Sequence, residues 1–163
     1  MTEKKINWVP LFFAGIMLLI TSCNQNIVYS EFTRIPEETW NLFNEVTFNP
    51  VITDTTSVND IFITLRTNPD YPFQNIWFFI SATSPSGKTV TDTLEYMLTD
   101  VQGKPLGKGI GYIKETDLTF RKGVFFPEKG TYIFRIRHGM RMENLKGIND
   151  IGLRIEKKKT KVK

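Results

Sequence analysis

Residues 75–97 read NIWFFISATSPSGKTVTDTLEYM. Ile76-Trp77-Phe78-Phe79-Ile80 is apolar at every position and built from aromatic and β-branched residues, which fit a pleated strand. Ser84-Pro85-Ser86-Gly87 gathers four turn-forming residues in a row. Threonine-rich, strand-forming sequence then resumes. The stretch predicts a β-hairpin with strands over 75–83 and 88–97. Because its apolar side chains fall at both odd and even positions, the run 76–80 further predicts a central strand covered on both faces.

The neighbouring segments keep a period of two. Ile61, Ile63 and Leu65 alternate with Phe62, Thr64 and Arg66. Tyr132, Phe134 and Ile136 alternate with Ile133, Arg135 and Arg137, and Leu153 and Ile155 with Arg154 and Glu156. Such alternation marks half-buried strands. Turn signals separate them: Asn68-Pro69-Asp70, Gln102-Gly103-Lys104-Pro105 and Pro127-Glu128-Lys129-Gly130. The expected fold is all-β, an antiparallel β-sandwich of about eight strands. Two short helical turns are expected, one from Pro36 through Trp40 and one over 140–145.

The chain start is of a different kind. Lys4 and Lys5 precede an apolar run from Trp8 to Ile20, followed by Thr21-Ser22-Cys23. This is the layout of a bacterial export signal, and the run is too short to span a bilayer as a helix. Ile20-Thr21-Ser22-Cys23 resembles a lipobox, in which the cysteine receives the lipid. Cys23 is the only cysteine, so no disulfide is available. The expected organisation is a signal peptide at 1–22 and a lipidated Cys23 with a short tether at 23–30. A sandwich domain at 31–156 and a basic tail at 157–163 follow. Several acyl chains on one residue anchor stably without a transmembrane helix. No acidic run follows Cys23, which favours the periplasmic face of the outer membrane.

The net charge of +4 is concentrated at the ends. Lys4 and Lys5 belong to the signal, and Lys157, Lys158, Lys159, Lys161 and Lys163 to the tail. The domain between is slightly acidic, which disfavours a nucleic-acid surface. The tail reads as a solvated end that can also touch anionic headgroups.

The catalytic inventory is thin. His138 is the only histidine, and there is no G-x-S-x-G elbow. Metal sites built on two histidines are excluded. Gly107-Lys108-Gly109-Ile110-Gly111 lacks phosphate-loop spacing and reads as a bend. Asp92 and Glu95 lie three apart, so a strand points them to opposite faces. Asp54, Asn59 and Asp60 lack EF-hand spacing for calcium. No enzyme activity, catalytic residue, metal or cofactor is therefore expected. The aromatic fraction of 13% is high. Trp40, Tyr71 and Phe73 fall near expected loops, where aromatic rings can form a contact patch or stack on sugar.

Four blocks, YPFQNIWFFI (71–80), DTLEYMLTDVQGKPLGKGIGYI (92–113), GTYIFRIRHGMR (130–141) and LKGINDIGLRIEK (145–157), follow the lipobox in order. Together they resemble the GldH lipoproteins of the gliding-motility machinery of Bacteroidetes. The resemblance implies an accessory lipoprotein required for gliding. It also implies a link to the envelope apparatus that moves and secretes surface adhesins, with other envelope proteins of that machinery as partners. It transfers one residue role, lipidation, onto Cys23. Tyr71, Phe73, Met140, Arg141 and Leu145, which mix apolar groups with a guanidinium, are the expected partner contacts. A glycan-binding lipoprotein using loop aromatics is the alternative, and a hydrolase with scattered carboxylates the remoter one.

Overall fold

The computed structural model describes residues 26–109 and 111–158. Its strands are β1 (Ile27–Arg34), β2 (Thr39–Asn41), β3 (Val46–Phe48), β4 (Val51–Ile52), β5 (Asn59–Thr67) and β6 (Asn75–Thr83). They continue as β7 (Thr89–Met97), β8 (Lys114–Val124), β9 (Gly130–Thr131), β10 (Ile133–His138), β11 (Asn144–Lys146) and β12 (Ile148–Lys157). The expected hairpin is present: β6 and β7 pair antiparallel from Asn75↔Met97 to Thr83↔Thr89. Its turn is closed by Ser84 and Lys88, and the Glu128 carboxylate accepts from the Ser86 N–H and hydroxyl at 2.9 and 2.7 Å.

Two four-stranded sheets form, ordered β1-β12-β5-β8 and β3-β10-β6-β7, with two short ribbons, β2 with β11 and β4 with β9. Every pairing is antiparallel. The period-two residues fill the space between the sheets. Ile61, Ile63 and Leu65 of β5 and Leu153 and Ile155 of β12 are buried, as are Phe78 and Ile80 of β6 and Phe134 and Ile136 of β10. The Phe120 and Phe134 rings meet edge-on across the layers at 6.5 Å, and the Tyr96 hydroxyl donates to the Thr119 carbonyl at 2.8 Å. The all-β sandwich read from the sequence is thus the observed fold.

Four expectations need correction. β6 lies inside its sheet, between β10 and β7, but is covered on one face only, because a two-layer sandwich has nothing to lay over the other. Residues 140–145 form no helical turn. Asn144–Lys146 instead pairs with Thr39–Asn41, so Trp40 also belongs to a strand. The turn at Pro36–Glu38 is of 3-10 type with left-handed φ at Glu37 and Glu38. The sandwich begins at Ile27, so residues 27–30 are strand and not tether. The expected signal peptide, Cys23 and most of the basic tail lie outside the described residues. Among the described residues, no helix is long and apolar enough to cross a membrane.

Strand direction divides the ends of the sandwich. β1 starts, and β12 finishes, at one pole, where Ile27 faces Glu156. The turns at 84–88 and 125–129 lie at this chain-end pole. The opposite, loop pole carries 68–74, 98–113 and 139–143.

Candidate interaction surface

The outer faces of the two sheets differ in chemistry. On the β1-β12-β5-β8 sheet, Arg66 pairs with Glu115 at 2.7 Å and lies 4.0 Å over the Phe32 ring. Arg154 pairs with Asp117 at 2.8 Å and lies 4.8 Å over Phe62. Guanidinium groups therefore stack on the outward rings, with Phe32 still 38% exposed, as on an ordinary solvated face.

On the β3-β10-β6-β7 sheet, no guanidinium among the described residues stacks over the outward rings. Trp77 and Phe79, alternate residues of β6, remain 37% and 42% exposed. The chain continues past β10 alongside them: Gly139 N–H donates to the Trp77 carbonyl at 2.6 Å. Trp77 N–H points at the Met140 sulfur, 3.4 Å away. A Cβ at Gly139 would lie 3.1 Å from the Phe79 ring and 3.2 Å from Trp77 Cβ. The missing side chain is what lets both aromatics lie against this strand.

A groove of about 470 Å³ results, lined by Phe73, Asn75, Trp77, Gly139, Met140 and Arg141. Next to it is a polar hollow of about 390 Å³ containing Phe79, Arg135, Arg137 and Glu45. There Glu45 lies 3.4 Å from Arg135 and 4.0 Å from Arg137. Exposed rings beside guanidinium groups are the composition enriched at binding surfaces.

Of the five expected contacts, the structure brings Phe73, Met140 and Arg141 together in this groove, with Met140 buried at its floor and Arg141 exposed. Tyr71 stands behind them, its ring 6.0 Å from that of Phe73. Its hydroxyl donates to the Asn75 carbonyl at 2.6 Å, and burial raises its pKa. Leu145 is fully buried opposite Trp40 and offers no contact surface. Trp40 is equally buried, its ring 6.1 Å from Phe78 and 5.4 Å from His138. Trp77 and Phe79, expected to be covered, face outward. Counting alternation from Ile76 places them opposite the core residues Phe78 and Ile80, which was the available signal.

A hub of polar groups fixes the loop that presents Tyr71 and Phe73. The Glu38 carboxylate accepts from Asn68 Nδ2 at 2.5 Å and Asn149 Nδ2 at 2.8 Å. Asn68 Oδ1 accepts from Asp70 N–H at 2.9 Å, and Asn68 N–H donates to Gly147 O at 3.0 Å. Asn68, buried and bonded through both ends of its amide, holds the loop in one conformation, while Asn149 Oδ1 is left without a partner.

The remaining polar candidates are engaged elsewhere. Asp92 pairs with Arg121 of the facing sheet, while Glu95 accepts from Asn75 Nδ2 at 2.5 Å. Asp54 accepts from Lys157, Ser57 and Thr56, which hold its carboxyl well below the usual range. The stretch 107–109 is a bend, Lys108 and Glu115 exchanging two backbone bonds of 2.8 Å. Among the described residues, no three His, Asp or Glu side chains gather as a metal site would require.

His138 is fully buried, and its Nε2 faces the Trp40 carbonyl at 3.1 Å. Nε2 is therefore the protonated nitrogen, and Nδ1 has no partner. Burial pushes the imidazole pKa down. Below the unfolded value of about 6.5 the unfolded chain binds the proton that the native chain refuses. Stability should therefore fall as pH drops through that value towards the native pKa. Urea midpoints measured from pH 7 downward should show a slope that is absent in His138→Gln. Parallel curves for the two proteins would contradict this.

The chain matches the family model described as GldH lipoprotein over residues 27–155. It is 38% identical over 152 residues to the "Gliding motility lipoprotein GldH homolog" of Christiangramia forsetii, covering 89% of this chain and 93% of that protein. It is 35% identical over 156 residues to the "Gliding motility lipoprotein GldH" of Flavobacterium johnsoniae, covering 89% and 96%. No solved structure matches. The family match takes in every strand from β1 to β12, and both relatives are covered almost end to end: the chain belongs to the GldH lipoprotein family.

Proposed function

We propose that this protein is a lipid-anchored, non-catalytic component of the cell envelope that supports gliding motility. It is held through Cys23, on the periplasmic face of the outer membrane, and captures another envelope protein of the gliding and secretion machinery. The observation that carries the capture role is the uncovered groove around Trp77. Two neighbouring outward rings, Trp77 and Phe79, with no guanidinium stacked on them gain more from burial against a partner than from contact with water. The names of the two relatives support the motility role.

The test is single-cell tracking on glass of a deletion strain complemented with wild type, Cys23→Ala, Arg141→Ala or Trp77→Ala/Phe79→Ala. Wild type should restore movement and Cys23→Ala should not. The aromatic double variant should remain folded and membrane-associated yet leave cells slow. Its partner capture in cross-linked cells should fall by roughly tenfold or more, as loss of a central aromatic contact does. Arg141→Ala should fold normally and weaken capture by roughly fivefold. Normal movement of deleted cells would end the motility reading. Full rescue by the double variant would remove the groove from it. Saturable binding of the protein to a glycan, lost in the double variant, would instead favour sugar stacking on the same rings.

A further inference from the structure

We infer that the chain-end pole rests on the bilayer surface, with Ile27, Val51 and Phe125 set into the lipid interface. This orientation rests on lipidation of Cys23.

The first argument is reach. Only residues 24–26 separate Cys23 from Ile27, the first residue of β1. A fully extended chain gains at most about 3.6 Å per residue, so Cys23 lies within about 14 Å of Ile27. The sandwich is longer than that: β12, with 10 residues, spans about 33 Å. A lipid on Cys23 therefore holds the pole where β1 begins near the membrane and leaves the Trp77 groove towards the far end.

The second argument is the chemistry of that pole. Val51 is 60% exposed, Phe125 58% and Ile27 42%. Ile27 and Val51 line one hollow with Phe126 and Lys157. Phe125 and Phe126 line the mouth of a largely apolar cleft of about 370 Å³ between the two sheets. The exposed lysines Lys122, Lys129 and Lys158 belong to the same pole, and its carboxylates Asp54 and Glu128 are engaged by Lys157 and Ser86. β12 also ends here, so Lys159, Lys161 and Lys163 follow directly from this pole. Apolar side chains flanked by lysine are what an interface with anionic headgroups accommodates. A protein partner at this pole would have to share the narrow space that the tether leaves.

The experiment uses the mature lipoprotein in phosphatidylethanolamine–phosphatidylglycerol vesicles with brominated acyl chains, which quench nearby tryptophan. Wild-type emission, from Trp40 and Trp77, should be unchanged relative to unbrominated vesicles. Trp77 lies six residues, about 20 Å, from the end of β6 at the chain-end pole. Phe125→Trp and Val51→Trp, both at exposed sites, should each add emission that bromine cuts roughly twofold, since interfacial side chains sit about 5–10 Å into the headgroup and acyl boundary. Vesicle-bound protein whose added tryptophans are not quenched, or whose Trp77 is, overturns the orientation alone. Protein that stays in the supernatant with an unmodified Cys23 overturns the lipidation reading and the orientation with it.

Discussion

Gly147→Ala should destabilise the domain by roughly 3 kcal/mol or more. Gly147 is buried with φ +79°, a left-handed conformation that costs an L-residue about 1–2 kcal/mol. A methyl group there would also lie 2.2 Å from the Tyr71 nitrogen and 2.6 Å from its Cα. Both are main-chain atoms, so no side-chain rotation relieves the clash, and overpacking adds about 1–3 kcal/mol. Relief would require moving Tyr71, which breaks the bond from Tyr71 N–H to the Asn68 carbonyl. The loop carrying Phe73 would shift with it. A loss of this size is a large share of the 5–15 kcal/mol typical of a domain. Urea unfolding measures it. Gly87→Ala separates the two terms, because Gly87 has φ +85° but nothing within 4 Å of its added carbon. It should lose only about 1 kcal/mol. Equal losses in the two variants would show that the clash is absent.

Trp40→Ala should destabilise the domain by about 3–5 kcal/mol, the range for emptying a fully buried large aromatic site. Trp40 fills the space beneath the second sheet, between Phe78 and His138. Its indole N–H donates to the Asn44 carbonyl at 2.8 Å. Truncation leaves a cavity under the strand whose outward residues are Trp77 and Phe79, so the groove should loosen along with the core. Trp40→Phe keeps most of the volume and loses one hydrogen bond to an exposed loop, which should cost only about 1–1.5 kcal/mol in polar terms. Calorimetry would show a much lower transition for Trp40→Ala than for Trp40→Phe. A Trp40→Ala loss under about 2 kcal/mol would mean that neighbouring side chains close the space.

The strands were largely legible in the sequence because their signal is local. Alternation of Ile61, Ile63 and Leu65, or of Tyr132, Phe134 and Ile136, follows from the two-residue repeat of any pleated chain. The Ser84–Gly87 turn was legible for the same reason. The lipobox and the family blocks are linear patterns too. Burial is not local. Trp40 and Leu145 stand 105 positions apart and looked like loop residues, yet their mutual pairing buries both. The 140–145 segment carries local signals compatible with a helical turn, and the partner strand at 39–41 overrides them.

The groove shows the same division. Composition made 76–80 apolar at every position, but no property of those five residues says how many layers the protein builds. Two layers mean that one face of β6 must stay outside, and the register with β10 puts Trp77 and Phe79 there. Gly139 and Met140 reach the site only through pairing across 60 residues or more of chain, whereas Phe73 precedes Trp77 by four positions. The sequence on its own determined the long strands and the family. Tertiary structure decided which aromatic residues face water, because exposure depends on what the whole chain lays over a surface and not on the residues beneath it.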